Sequence, residues 1–369
     1  RKRSLPIAVP WCARPRRRCM HGVCNACWSL CRGRHGVGLT AAIGLATVSA
    51  PRAAARASAP SSPLQAARAL RAPSPVVSTG GEFEGYEFWE EHDELLKAAW
   101  QEHGPRSPDL YTFGPDYERK YVREELRQAA ALARETLDES SARSLFTEVV
   151  PGVFATEQLF TEQFLEDMLE ELAHIDSSGI PRRRPNGMNR YGVILDQVGM
   201  EAALGGLIAS YIRPLAGLLF PELVGPDDAE EHYAFTVQYE ATGDTELAKH
   251  GDASVVTLNL CLGRPGWTGG TLRFFASGGS GMYALPRGNA SAGDGEVNFR
   301  PGMALLHRGQ HKHQAMPLSS GVRANMVVWL MGRHGVVRVA PYSEREQLTV
   351  AERWRSPPAP RESGGASMF

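Results

Sequence analysis

After Pro226 the hydrophobic period of the chain changes from that of a helix to that of a strand, and this switch limits the fold more than any other feature. Tyr233, Phe235, Val237 and Tyr239 alternate with smaller or polar neighbours, as a strand requires, because its successive side chains point to opposite faces. Short apolar stretches follow at 254–262, 271–275, 303–307 and 323–331, separated by turns that contain Gly or Pro. Before the switch the period is helical. Phe88, Trp89, Leu95, Leu96 and Trp100 recur up to the break at Gly104-Pro105, and Tyr117, Tyr121, Leu126, Ala130 and Leu137 mark a second helix. Phe160, Phe164, Met168 and Leu172 form one stripe of a helix predicted over 156–175, and another helix is predicted over 201–220. Helices first and many short strands afterwards predict a β-rich α+β fold, a double-stranded β-helix (jelly-roll) core buttressed by N-terminal helices. A long Gly-rich loop is expected at 277–296 and a loose tail from Glu352.

Charge divides the chain at the same level of organisation. Residues 1–81 hold twelve Arg, one Lys and no acid, whereas the other 288 residues hold 27 basic and 41 acidic side chains, a net −14. An acidic body repels phosphate, so no nucleic-acid partner is expected. The longest apolar run, 37–50, falls short of membrane length, so the chain is not expected to be an integral membrane protein. Five of the six cysteines (Cys12, Cys19, Cys24, Cys27, Cys31) lie in the basic segment, and Cys261 alone cannot form a disulfide within the body. Cys24-Asn-Ala-Cys27 has the spacing of half a zinc knuckle but no second pair at a matching distance. An Arg-, Ala- and Ser-rich segment without acids fits an organelle transit peptide or a disordered leader. The resulting expectation is a leader at 1–81, a helical region at 82–150, a functional domain at 151–340 and a tail at 341–369. The location is expected to be intracellular, in a plastid or mitochondrion if the leader is a transit peptide.

The chemistry-bearing stretch begins at Tyr239 and continues through His250-Gly251-Asp252 to His307, His311, His313 and Arg323. Residues i and i+2 of a strand share a face, which would set the His250 imidazole beside the Asp252 carboxylate. One further imidazole from a distant strand, from among His307, His311 and His313, would complete two histidines and one carboxylate on an octahedral face, the donor set of non-haem Fe(II) oxygenases. Arg323, Asn325, Val327 and Trp329 share the face of a predicted strand, so a guanidinium projects from an apolar element and requires an anion. A dicarboxylic cosubstrate gripped through its far carboxylate would supply that anion. Thr257 and Asn259 would add polar contacts inside the barrel. Asn189, Arg190 and Tyr191 would either line a substrate mouth or form a structural strand.

The order Tyr239, His250-x-Asp252, His313, Arg323 resembles the 2-oxoglutarate- and Fe(II)-dependent dioxygenases of the prolyl 4-hydroxylase-like branch. Pro185-Asn-Gly-Met-Asn-Arg-Tyr-Gly192, Gly269-Gly-Thr-Leu-Arg-Phe274, Leu306-His-Arg-Gly309 and Arg323-Ala-Asn-Met-Val-Val-Trp329 are similar to the family of 2-oxoglutarate and iron-dependent oxygenase domain-containing protein 2, over about 150–340. The resemblance implies His250, Asp252 and His313 as catalytic iron ligands, with His313 preferred for its ten-residue offset from Arg323. It implies Arg323, assisted by the Tyr239 hydroxyl, as the cosubstrate anchor. It further implies Fe(II), 2-oxoglutarate as cosubstrate, O2, ascorbate as reductant, and release of succinate and CO2. A carboxylate at Asp252 favours hydroxylation over halogenation. The substrate is expected to be a prolyl or lysyl side chain of a protein, or a small molecule. A non-catalytic jelly-roll module that binds metal or another ligand is the competing reading, and a zinc hydrolase using the same residues ranks last, since no Glu lies beside them at helical spacing.

Overall fold

The computed structural model describes residues 62–72, 86–225, 232–263, 266–276, 293–331, 336–339 and 343–349. The leader up to residue 61 with its cysteine cluster, most of the loop expected at 277–296 and the tail from Glu352 lie outside the described residues.

The helical part contains α1 (Pro63–Ala69), α2 (Tyr86–Glu91), α3 (Asp93–His103), α4 (Pro115–Tyr121), α5 (Glu124–Thr136), α6 (Glu139–Arg143), α7 (Glu162–Ser177), α8 (Glu201–Leu207) and α9 (Arg213–Leu219). Helix α1 falls inside the segment expected to be leader. Ser62 caps it by accepting from the Gln65 amide, and Pro63 occupies its first turn. It docks through Ala67 onto Leu96, Ala99 and Ile180. The single helix expected across Tyr117–Leu137 is two, because Val122 leaves helical geometry to bridge Phe160. The helix expected to begin at 156 begins at Glu162, with Thr161 as its cap, since the residues before it form a strand instead. Helices α8 and α9 are joined through a π turn at Ile208–Ile212 into one run, Glu201–Leu219. By length, and by a mean hydropathy of 1.4 over an 18-residue window, this helix is long and apolar enough to cross a membrane. Leu204, Leu207, Ile208, Ile212 and Leu215 are nevertheless buried in the protein core, which is why such a helix is apolar here.

The strands are β1 (Thr147–Val150), β2 (Val153–Thr156), β3 (His232–Glu240), β4 (Leu247–His250), β5 (Val256–Cys261), β6 (Thr268–Gly269), β7 (Leu272–Phe274), β8 (Gly295–Val297), β9 (Ala304–Arg308), β10 (His313–Ala315), β11 (Leu318–Ser320), β12 (Val322–Leu330), β13 (Val336–Val339) and β14 (Ser343–Thr349). An antiparallel six-stranded sheet has the order β1-β2-β9-β5-β12-β3, and a four-stranded sheet has the order β4-β10-β7-β8. The β13–β14 hairpin straddles the boundary expected at 340.

Alternation along the large sheet sorts its two faces. Phe154, Ala234, Val256, Leu258, Leu306, Met326 and Val328 pack in one core with the helices. Val153, Phe235, Leu305, Val327 and Trp329 pack in a second core together with Leu272, Phe274 and Val297 of the small sheet. Phe235 meets the Trp329 ring edge-on at 5.1 Å, a geometry that contributes roughly 1 kcal/mol beyond burial. Helices therefore cover one face of the large sheet, and the small sheet closes over the other. The functional side chains project into the space between the sheets.

Leu137, which ends α5, adopts φ 52° with its side chain 75% exposed. Left-handed backbone at a helix end favours glycine, so Leu137→Gly should raise unfolding stability by up to about 1 kcal/mol. Chemical denaturation measures this, and a loss of stability would contradict the strain assigned to Leu137.

Candidate metal and anion site

Strand β10 runs antiparallel to β4 with His313 directly opposite His250, so the two imidazoles lie side by side with ring centroids 4.3 Å apart. Strand β4 ends at His250, and Asp252 lies in the bend that follows, not on the same strand face as expected. Its placement comes from tertiary contacts. The Asp252 amide donates to the Gly309 carbonyl at 2.7 Å, and the Thr257 hydroxyl donates to Asp252 Oδ2 at 2.6 Å. Ser254 and Thr257 hydroxyls lie 2.6 Å apart, and with Thr257 donating to the carboxylate, Ser254 is the donor of that pair. A Cβ on Gly309 would stand 2.1 Å from the Ser254 carbonyl, so only glycine permits this approach.

Asp252 Oδ1 faces both imidazoles, 3.6 Å from His250 Nε2 and 3.7 Å from His313 Nε2. All three ligand atoms lie within 4.8 Å of one another. His250 Nδ1 donates to the Ala248 carbonyl at 2.7 Å, and His313 Nδ1 donates to the His311 carbonyl at 2.8 Å. Because a carbonyl only accepts, the Nδ1 of each ring carries a proton, and Nε2 is the ring atom turned toward Asp252. Burial pulls the His313 imidazole down to about 3. Burial alone would raise the Asp252 carboxyl, but the surrounding imidazoles of His313 and His250 outweigh it and hold the group below the usual carboxylate range. Two imidazole nitrogens and a carboxylate oxygen thus converge on a common point. This nitrogen and oxygen donor set suits a divalent first-row transition metal.

The other candidate histidines stay outside this cluster. His311 donates from Nε2 to the Gly293 carbonyl at 3.1 Å. His307 is fully buried, donates from Nδ1 to the Arg308 carbonyl at 3.0 Å and packs against the His313 ring with centroids 4.9 Å apart.

Arg323 on β12 pairs with Tyr239 on β3, and its guanidinium stands 4.9 Å from the Tyr239 ring and 5.3 Å from that of Phe299. It is 2% exposed and donates from Nη1 to the Gly270 carbonyl, while Nε has no partner among the described residues. Among the described residues no carboxylate pairs with it, and burial lowers its pKa. One turn of the strand deeper, Asn325 donates to Asn259 Oδ1 at 2.7 Å. Burial raises the Tyr239 hydroxyl's pKa, with Asn189 and Arg323 opposing and Asp252 reinforcing that shift, so the cation and the carboxylate act on one group.

The segment holding Asn189, Arg190 and Tyr191 runs beside β3, where Gln238 donates to the Tyr191 carbonyl at 3.2 Å. Asn189 is buried beneath it, Arg190 pairs with Asp244 at 3.0 Å, and Tyr191 is exposed. The segment belongs to no strand of its own and forms a bent edge along β3 with an exposed outer rim.

Residues 100–225 match the model of the OGFOD2-like domain family. The likeness therefore begins well before residue 150, where the motifs had placed it. The chain is 40% identical over 185 residues to 2-oxoglutarate and iron-dependent oxygenase domain-containing protein 2 of Danio rerio, covering 50% of this chain and 51% of that protein. It is 37% identical over 198 residues to 2-oxoglutarate and iron-dependent oxygenase domain-containing protein ICU11 of Arabidopsis thaliana, covering 52% and 48%. More distantly, it is 25% identical over 226 residues to procollagen-lysine,2-oxoglutarate 5-dioxygenase 1 of Rattus norvegicus, covering 58% and 27%. The chain spans about half the length of the first two relatives. The resemblance to this oxygenase family that the motifs suggested stands.

Replacing a buried, uncompensated charge with an apolar side chain of similar length removes its desolvation cost. Arg323→Met is therefore expected to raise the ligand-free protein's stability by about 1–3 kcal/mol. Denaturant unfolding reads this, and a destabilised variant would show that the guanidinium serves the fold.

Proposed function

We propose that the chain is a non-haem Fe(II)- and 2-oxoglutarate-dependent dioxygenase built on a double-stranded β-helix. The observation that carries this reading is the convergence of His250 Nε2, Asp252 Oδ1 and His313 Nε2 beside a buried guanidinium that has no carboxylate partner among the described residues. His250, Asp252 and His313 would hold the iron through those atoms, and three ligands on one face leave the remaining positions to cosubstrate and O2. Bound iron would supply the one-electron chemistry with O2 that no side chain provides.

The chain's own residues bind and orient. Arg323 would grip the distal carboxylate of 2-oxoglutarate with Tyr239 beside it, and Phe274, Phe299 and Trp329 would keep the chamber dry. Thr257 fixes the Asp252 carboxylate so that Oδ1 alone faces the imidazoles. Over the whole reaction, one oxygen atom enters succinate as CO2 leaves, and the other enters the substrate as a hydroxyl. Ascorbate would restore the ferrous state after turnovers without substrate. The substrate would be a prolyl or lysyl side chain of a protein, and the likeness to a procollagen-lysine dioxygenase favours the lysyl side chain.

Succinate release from 2-oxoglutarate in the presence of Fe(II) tests the function. Turnover should fall at least about 100-fold in His250→Ala, and the 2-oxoglutarate concentration for half-maximal rate should rise at least about tenfold in Arg323→Ala. Wild-type turnover in either variant would remove that residue from the site. Thr257→Val should weaken binding of a divalent metal about 10–100-fold while the fold persists, as measured by competition with a chromogenic chelator. Unchanged affinity would mean that Thr257 only supports packing.

A further inference from the structure

The loop that enters the edge of β3 carries a chain of amides whose hydrogen-bond polarity is fixed from one end. Asn186 Oδ1 accepts two backbone amides, from Met188 at 2.8 Å and Asn189 at 2.7 Å. Only the carbonyl end of a side-chain amide accepts, so the orientation of Asn186 is settled by the backbone. Its Nδ2 must then donate, and does so to Asn189 Oδ1 at 3.0 Å. Asn189 is thereby fixed as well, and its Nδ2 donates to the Tyr239 hydroxyl oxygen at 3.4 Å. With that oxygen engaged as an acceptor, the Tyr239 proton is left to donate elsewhere, and no acceptor for it exists among the described residues.

The loop is held firmly enough to transmit this polarity. Asn189 is 1% exposed, its carbonyl accepts from Arg184 Nε at 3.3 Å, and Tyr233 donates from its hydroxyl to the Pro185 carbonyl at 2.8 Å. A Cβ on Gly192 would stand 1.9 Å from the Thr236 carbonyl, so the loop lies directly against β3. Beside the Tyr239 ring, Arg323 also holds a donor at Nε that has no partner among the described residues. Two unsatisfied donors, one of them charged, describe a site for a carboxylate.

We propose that Asn186 and Asn189 are positioning residues that force the Tyr239 hydroxyl to donate, so that it joins Arg323 in selecting a cosubstrate that has a distal carboxylate. This deepens the function proposed above and rests on its assignment of 2-oxoglutarate to the Arg323 end of the site.

The test is equilibrium binding to Mn(II)-loaded protein, followed by calorimetry under anaerobic conditions with 2-oxoglutarate and with 2-oxobutyrate, which lacks the distal carboxylate. Asn189→Asp keeps the shape but offers Tyr239 an acceptor, drawing the proton away from the ligand. It should weaken 2-oxoglutarate about tenfold and 2-oxobutyrate by less than about twofold. Combined with Tyr239→Phe, it should have no further effect on 2-oxoglutarate, because the two substitutions remove the same bond. Asn186→Asp retains the acceptor for both backbone amides and removes only the donor to Asn189, so it carries the test if Asn189→Asp fails to fold. It should show the same selective weakening, to a smaller extent. Unchanged affinity, equal weakening of both ligands, or an effect that persists with Tyr239→Phe would each overturn the proposal. A wild-type protein that binds Mn(II) but no 2-oxoglutarate would instead overturn the assignment of the cosubstrate, which distinguishes the two failures.

Discussion

The pairing of His313 against His250 across two short antiparallel strands is the contact on which the site depends. It brings together residues 63 positions apart in the chain and leaves their Nε2 atoms facing the same side. Cross-strand pairing alone would give two histidines on a surface. The third member comes from a bend held by the Gly309 carbonyl and the Thr257 hydroxyl, so three separate elements must pack before the donor set exists. The donor set therefore exists only in the folded chain, so any metal held by these three residues would couple its binding to folding.

The large sheet performs the complementary task. Its alternation sends one row of side chains into the helix-side core and the other toward the small sheet, and Arg323 belongs to the second row. Placing a guanidinium among Tyr239, Phe299 and Gly270 costs stability that the surrounding apolar packing must offset.

Much of this was legible in the amino-acid sequence because it rests on local period. Alternation at Tyr233, Phe235, Val237 and Tyr239 and along 323–329 marked the strands, and their faces followed. Asp252 was found by its spacing from His250, although its orientation comes from a bend and two tertiary hydrogen bonds that spacing does not encode. The strand Val153–Thr156 is not legible in the sequence, because a four-residue apolar run suits either period and only pairing with β9 decides it. Helix α1 was hidden by the Arg- and Ala-rich composition around it, though Ser62-Pro63 carried the cap and first-turn signals. Asn186 gave no sign of its role, since a loop asparagine acquires hydrogen-bond polarity only from the backbone folded around it.

The central claim is that His250, Asp252 and His313 together bind one divalent transition metal. Anaerobic titration of the purified protein with Co(II), followed by visible absorption and quantified by elemental analysis, addresses it most directly. The expected result is one Co(II) per chain, the weak absorption of a site with more than four ligands, and loss of that spectrum in Asp252→Ala. No bound cobalt in the folded protein, or an identical spectrum in Asp252→Ala, would contradict it.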